Sequence, residues 1–140
     1  MQTIQTILVG YDGSEQSKNA LTRAAEIGTA LSSKIVVTSV APMLITSPRN
    51  TGPYDPADPP QAHEDNLQEA VALLEKQGIT PTLERGAGDP ADVIVELADR
   101  VDADLIVLGT QERSLLERAL GMSVSGEVSR KADCDVLIVR

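Results

Sequence analysis

The stretch GDPADVIVELADRVDADLIVLG, residues 88–109, decides the fold. Its first half starts as a helix. Asp89 is a natural N-cap, and Pro90 suits the first helical position because its missing N–H would be unpaired there anyway. Val93, Ile94, Leu97 and Val101 recur at helical spacing and predict the inner face. The second half, ADLIVLG, reads as a short strand that is apolar on both faces. Such a strand belongs inside a parallel sheet with helices packed on both sides.

Working outward, the same alternation recurs. IQTILVG predicts a first strand over residues 4–10, followed by a turn and a helix over 14–31. Leu21, Ala24, Ala25, Gly28 and Leu31 give that helix its apolar spacing. KIVVTSVA, rich in β-branched residues, is the second strand. The pattern then stops at PMLITSPRNTGPYDPADPP, which holds six of the eight prolines and reads as a loop over about residues 41–60. A helix resumes over 61–77, with Leu67, Val71 and Leu74 on one face, and Gly78 ends it. TPTLERG is a weaker third strand. Beyond residue 109, a helix over 123–132 leads to a last strand, DVLIVR.

The order β-α-β-α-β-α-β-loop-α-β predicts an α/β fold. It is a five-stranded, parallel, doubly wound, Rossmann-like sheet in a three-layer sandwich. One domain over 1–140 is expected from the length. Ligands of such sheets sit at the carboxyl ends of strands near the point where strand order reverses. That directs attention to Gly10–Ser14, Val40–Pro42 and the residues from Gly109 onward.

Composition narrows the function. The chain has no Phe or Trp and only two Tyr, Tyr11 and Tyr54, so a flavin or base stacked on aromatic platforms is not expected. The net charge of −9 argues against nucleic-acid or anionic-membrane partners. All of it lies in residues 1–108, with 16 acidic and 7 basic side chains; residues 109–140 hold 5 of each. An anion is therefore repelled least by the C-terminal quarter. The single cysteine, Cys134, excludes an internal disulfide and reads as a small packed residue. No apolar run approaches the ~20 residues of a membrane span and no signal-peptide pattern opens the chain, so a cytoplasmic location is expected.

Three enzyme readings fail on the residues. A serine hydrolase needs a histidine, and the only one, His63, reads as a solvated surface residue at a helix start. GMSVSG misses the nucleophile elbow because Ser125 stands where the last glycine belongs. A receiver domain needs an aspartate after the third strand, and TLERGAG has none. GYDGSEQS lacks the glycine spacing of a dinucleotide fingerprint. Asp12, the acid at the first strand end, reads equally as a turn cap and as a ligand contact.

ILVGYDGSEQS, GDPADVIVELADRVDADLIVLGT and SVSGEVSRKADCDVLIVR, in that order, resemble the universal stress protein family over nearly the whole chain. The resemblance implies a small α/β domain of the adenine nucleotide alpha hydrolase-like kind, usually dimeric, with a regulatory role in stress response and often with bound ATP. It implies no enzyme beyond very slow ATP hydrolysis. In the ATP-binding branch a signature follows the fourth strand: glycine, two residues, glycine, nine residues, glycine, then Ser or Thr. Glycines there let backbone N–H groups approach phosphates at a helix N-terminus.

On this chain the first glycine is Gly109 and the hydroxyl residue is Ser123, but Glu112 and Met122 occupy the other two glycine positions. Gly121 lies one place early. A carboxylate about 5 Å from a phosphate charge costs on the order of 3 kcal/mol at an effective dielectric of about 20. That is roughly a hundredfold in affinity. A bridging Mg²⁺, Arg113 or Arg118 would offset it, although both arginines also read as solvated loop charges. The resemblance further implies adenine-side contacts from Asp12 and from the backbone of Val40, and phosphate-side contacts from Ser123 and Ser125. Ser123 reads equally as a helix cap. The expected nucleotide set is thus Gly10, Tyr11, Asp12, Val40, Gly109, Gln111, Glu112, Met122, Ser123, Val124 and Ser125.

The ligands expected from this are AMP or ATP, with Mg²⁺ only if ATP binds. No tight Mg-ATP complex is expected, and the absence of any bound cofactor is the simplest case. The last strand, Val136, Leu137, Ile138 and Val139, carries no charge or proline. The resemblance implies a homodimer through this edge, with a protein partner still to be identified.

Overall fold

The computed structural model describes residues 3–41, 60–110 and 123–140. The described residues form nine elements in chain order: β1 (Thr6–Gly10), α1 (Glu15–Leu31), β2 (Lys34–Ala41), α2 (Pro60–Glu75), β3 (Thr82–Ala87), α3 (Pro90–Arg100), β4 (Leu105–Gly109), α4 (Val124–Lys131) and β5 (Asp135–Val139). The five strands form one parallel sheet in the order β3-β2-β1-β4-β5. The chain winds outward from β1 to β3, then crosses to β4 on the other side. The reversal falls between β1 and β4, as the doubly wound reading requires.

The central strands explain their own burial. Leu8 pairs in register with Val36 on one side and Ile106 on the other, and all three are fully buried. Alternate residues feed two aliphatic cores. Ile7, Val9, Ile35, Val37 and Val107 pack beneath α1 and α2, while Leu8, Val36, Ile106 and Leu108 pack beneath α3 and α4. Each such side chain contributes on the order of 2 kcal/mol. At the amino edge, the Asp104 carboxylate accepts from the N–H groups of Gln5 (2.9 Å) and Thr6 (3.0 Å), tying β4 to β1.

Helix ends follow their local chemistry. Ser14 caps α1 by accepting from the Ser17 N–H. Asp89 caps α3 by accepting from the Asp92 N–H, with Pro90 in its first turn. Gly78 takes φ +77 after α2, a conformation that a side chain disfavours.

Several inner-face expectations need correction. Leu31 is 52% exposed, because α1 ends there and Ser32 turns the chain away in a left-handed conformation. In α2 the buried row is His63, Leu67, Ala70 and Leu74, with Val71 only half-buried. In α3, Ala91 and Ala98 complete the buried row, while Val93 and Val101 sit at its margin.

Candidate functional site

The carboxyl ends of β2, β1 and β4 lie side by side at the reversal point. Gly10 is in register with Thr38, and the Tyr11 N–H extends the ladder by donating to the Thr38 carbonyl at 2.9 Å. The β1–α1 turn is held by its own side chains. Asp12 Oδ1 accepts from the Ser14 N–H at 2.9 Å, and the Asp12 N–H donates to Ser17 Oγ at 3.3 Å. Asp12 is therefore a turn-forming residue. It is also exposed at the strand end, so the ligand reading is compatible with the turn.

Tyr11 is placed differently from a ligand-lining residue. Its ring is 2% exposed and belongs to the core beneath α1 and α2. Its hydroxyl donates to the Glu69 carboxylate on α2. Burial first, and then the Glu69 carboxylate, raise the phenol far above its ordinary range. Val40, near the end of β2, packs on the opposite face with the α3 cluster.

The two strand-end glycines have packing reasons of their own. A Cβ on Gly10 would meet Leu108 Cδ2 at 2.6 Å. A Cβ on Gly109 would lie 2.5 Å from the carbonyl carbon and oxygen of Gln16 and 2.8 Å from the Ser17 nitrogen. Gly109 thus lets β4 run against the first turn of α1. This role is independent of any phosphate.

Ser123 caps α4. Its hydroxyl accepts from the Gly126 N–H at 3.1 Å and lies 3.1 Å from Ser125 Oγ. Both serines and Val124 are half-buried, and α4 packs on the α3 side through Val128. Capping is one observed role of Ser123, and it leaves a paired hydroxyl cluster at a helix start. Gln111, Glu112 and Met122, together with Arg113, Arg118 and Gly121, lie outside the described residues.

His63 is a correction. It is 7% exposed, and its Nδ1 lies 2.6 Å from Ser39 Oγ, itself 3% exposed. Both are too buried for a substrate to reach in this structure, so the pair anchors α2 on β2. The signal was present in the sequence: His63 stands four residues before Leu67, in line with Ala70 and Leu74. Thr38 was also passed over. Its Oγ1 is buried without a hydrogen-bond partner among the described residues. A threonine has the shape of valine, so nothing in a β-branched run marks it.

Cys134 is partly buried and its thiol is raised, first by burial, which fits a packed residue rather than a reactive thiolate. No group of three or more His, Cys, Asp or Glu among the described residues is arranged to hold a metal ion. No described helix is long and apolar enough to cross a membrane.

The model of the universal stress protein family matches residues 3–140. The chain belongs to the universal stress protein family. It is 32% identical to the stress response protein NhaX of Bacillus subtilis, over 96% of each chain. It is 33% identical to the universal stress protein Rv1636 of Mycobacterium tuberculosis, over 99% of this chain and 98% of that one. A universal stress protein solved in complex with cAMP superposes with a TM-score of 0.76, at 30% identity and 99% coverage of both chains. One from Archaeoglobus fulgidus gives 0.75 at 26% identity, covering 97% of this chain and 98% of that one. The strand ends described above are therefore those of a universal stress protein.

Proposed function

We propose that this universal stress protein is a regulatory module that binds an adenine nucleotide with one phosphate, AMP or cAMP, and grips a triphosphate weakly. The observation that carries the reading is a contrast within the site. The β1–α1 turn and the end of β2 are fully built, whereas two glycine positions of the phosphate signature hold Glu112 and Met122. A relative at 30% identity holds cAMP, a nucleotide with a single phosphate. Asp12 and the Val40 backbone take the nucleoside side, and Ser123 and Ser125 take the phosphate. The module acts by binding. Its working form is a homodimer through β5 in the cytoplasm, which presents the nucleotide state to a protein partner.

The test is calorimetric titration of nucleotide-stripped protein with adenosine, AMP, cAMP and ATP, each with and without Mg²⁺. AMP or cAMP is expected to bind, with ATP no tighter and no gain from the metal. The Glu112→Gly/Met122→Gly variant is expected to gain ATP affinity on the order of a hundredfold. Tight, Mg²⁺-dependent ATP binding by the unaltered chain would overturn the reading in favour of an ATP switch. Silence for all four ligands would leave a nucleotide-free partner-binding scaffold.

A further inference from the structure

α2 carries polar side chains at intervals of three residues: His63, Asn66 and Glu69. Each stands against a different residue at or near the strand ends. His63 meets Ser39 at 2.6 Å on β2. Asn66 lies over the β1–α1 turn, so close that a Cβ on Gly13 would stand 3.0 Å from its Oδ1. Glu69 accepts from the Tyr11 hydroxyl at the end of β1. Lys18 of α1 approaches the same Glu69 carboxylate at 3.9 Å.

Two of these anchors share a pattern. Ser39 directly precedes Val40, and Tyr11 directly precedes Asp12. Successive residues of an extended chain point to opposite faces. Holding Ser39 from the α2 side therefore sets the backbone of Val40, which packs on the α3 side. Fixing Tyr11 sets where Asp12 begins its turn. Both residues expected to contact the nucleoside are thus gripped through their predecessors, from behind the sheet. The remainder of the buried row, Leu67, Ala70 and Leu74, is apolar and holds α2 in place without specifying position along the strands.

We propose that Tyr11, Ser39, His63, Asn66 and Glu69 are positioning residues, through which α2 sets the geometry of the nucleoside pocket. The inference rests on the nucleotide reading above. It makes α2 an energetic partner of that site: the nucleotide binds most tightly when α2 is seated, and binding seats α2. Binding sites need their contacts held to within a fraction of an ångström, and a supporting group that locks them is felt as affinity.

The Tyr11–Glu69 bond gives the sharpest test. AMP and cAMP affinities are measured for the unaltered chain and for Tyr11→Phe, Glu69→Ala, Glu69→Gln and the Tyr11→Phe/Glu69→Ala double variant. Amide exchange over residues 10–17 and over β4 is followed in each. Tyr11→Phe and Glu69→Ala are each expected to weaken binding roughly tenfold. They should speed exchange in the turn and leave β4 protected. The double variant should lose no more than Glu69→Ala alone, because the Tyr11–Glu69 bond is already absent there. Glu69→Gln should recover most of the affinity, since its amide oxygen still accepts from the phenol. Unchanged affinity in the single variants, or additive losses in the double, would overturn the inference while the nucleotide reading stands. An unaltered chain that binds neither nucleotide fails before any substitution is made. In that case both readings fall together.

Discussion

The two edges of the sheet are built in opposite ways. At β3, charges guard both faces. Arg85 makes two 2.6 Å bonds to the Glu64 carboxylate of α2, and Glu84 accepts from Arg100 of α3 at 3.2 Å. At β5, the run Val136–Val139 carries no charge, and Ile138 is 38% exposed. Edge strands with inward or outward charges resist pairing with another chain, and bare apolar edges invite it. The contrast favours β5 as the edge for the proposed homodimer. A pairing at that edge would lie next to β4 and α4, the side that carries Gly109 and Ser123, and far from the α2 anchors.

The largest effect should come from charging the bare edge. Ile138→Lys puts two like charges near each other in a β5–β5 dimer and should weaken it on the order of a hundredfold or more. Because Ile138 is already partly exposed, the monomer should keep its melting temperature within a few degrees. Sedimentation equilibrium reads the association directly. A dimer that persists unchanged would place the interface elsewhere and break the comparison.

An intermediate effect is expected from stripping the guarded edge. Glu84→Val/Arg85→Val leaves a β-branched run at β3 and should create concentration-dependent association beyond the dimer, visible by light scattering. If it stays as soluble as the unaltered protein, geometry rather than charge protects that edge.

The smallest effect is a pH dependence. The guanidinium of Arg85 holds the Glu64 carboxyl below its ordinary value of 4.5. A carboxyl lowered in the folded state adds stability above its unfolded value, and that stability is lost as pH falls through the folded value. Arg85→Ala should therefore flatten the acid side of the stability curve below about pH 4.5 and change little at pH 7. Both groups are solvent-exposed, so the difference will be small. An equal offset at every pH would mean that Arg85 acts through packing of its stem instead.

Much of the architecture was legible because it depends on local signals. Leu105–Leu108 can be buried on both faces only in a covered parallel sheet, and Asp89-Pro90 marks a helix start wherever it occurs. The strand ends of the candidate site followed from topology alone. What stayed hidden depended on distance in sequence. Gly109 reads as a phosphate glycine, yet its closest constraint is the backbone of Gln16 and Ser17, more than ninety residues away. His63 reads as a surface residue until α2 is laid across β2 and Ser39 comes beneath it. Tyr11 reads as one of the nucleotide set, and the structure shows its ring in the core beneath α1 and α2 with its hydroxyl on Glu69.

The sequence by itself determined the strand and helix order, the doubly wound sheet, the reversal point and the family. Those follow from hydrophobic period, caps and turn residues, which act between near neighbours along the chain. Only the tertiary structure decided which side of β1 and β2 is gripped and by whom, and why Gly109 has no side chain. It also showed which sheet edge is guarded by ion pairs. These are contacts between elements far apart in sequence, and they form only once the layers are stacked.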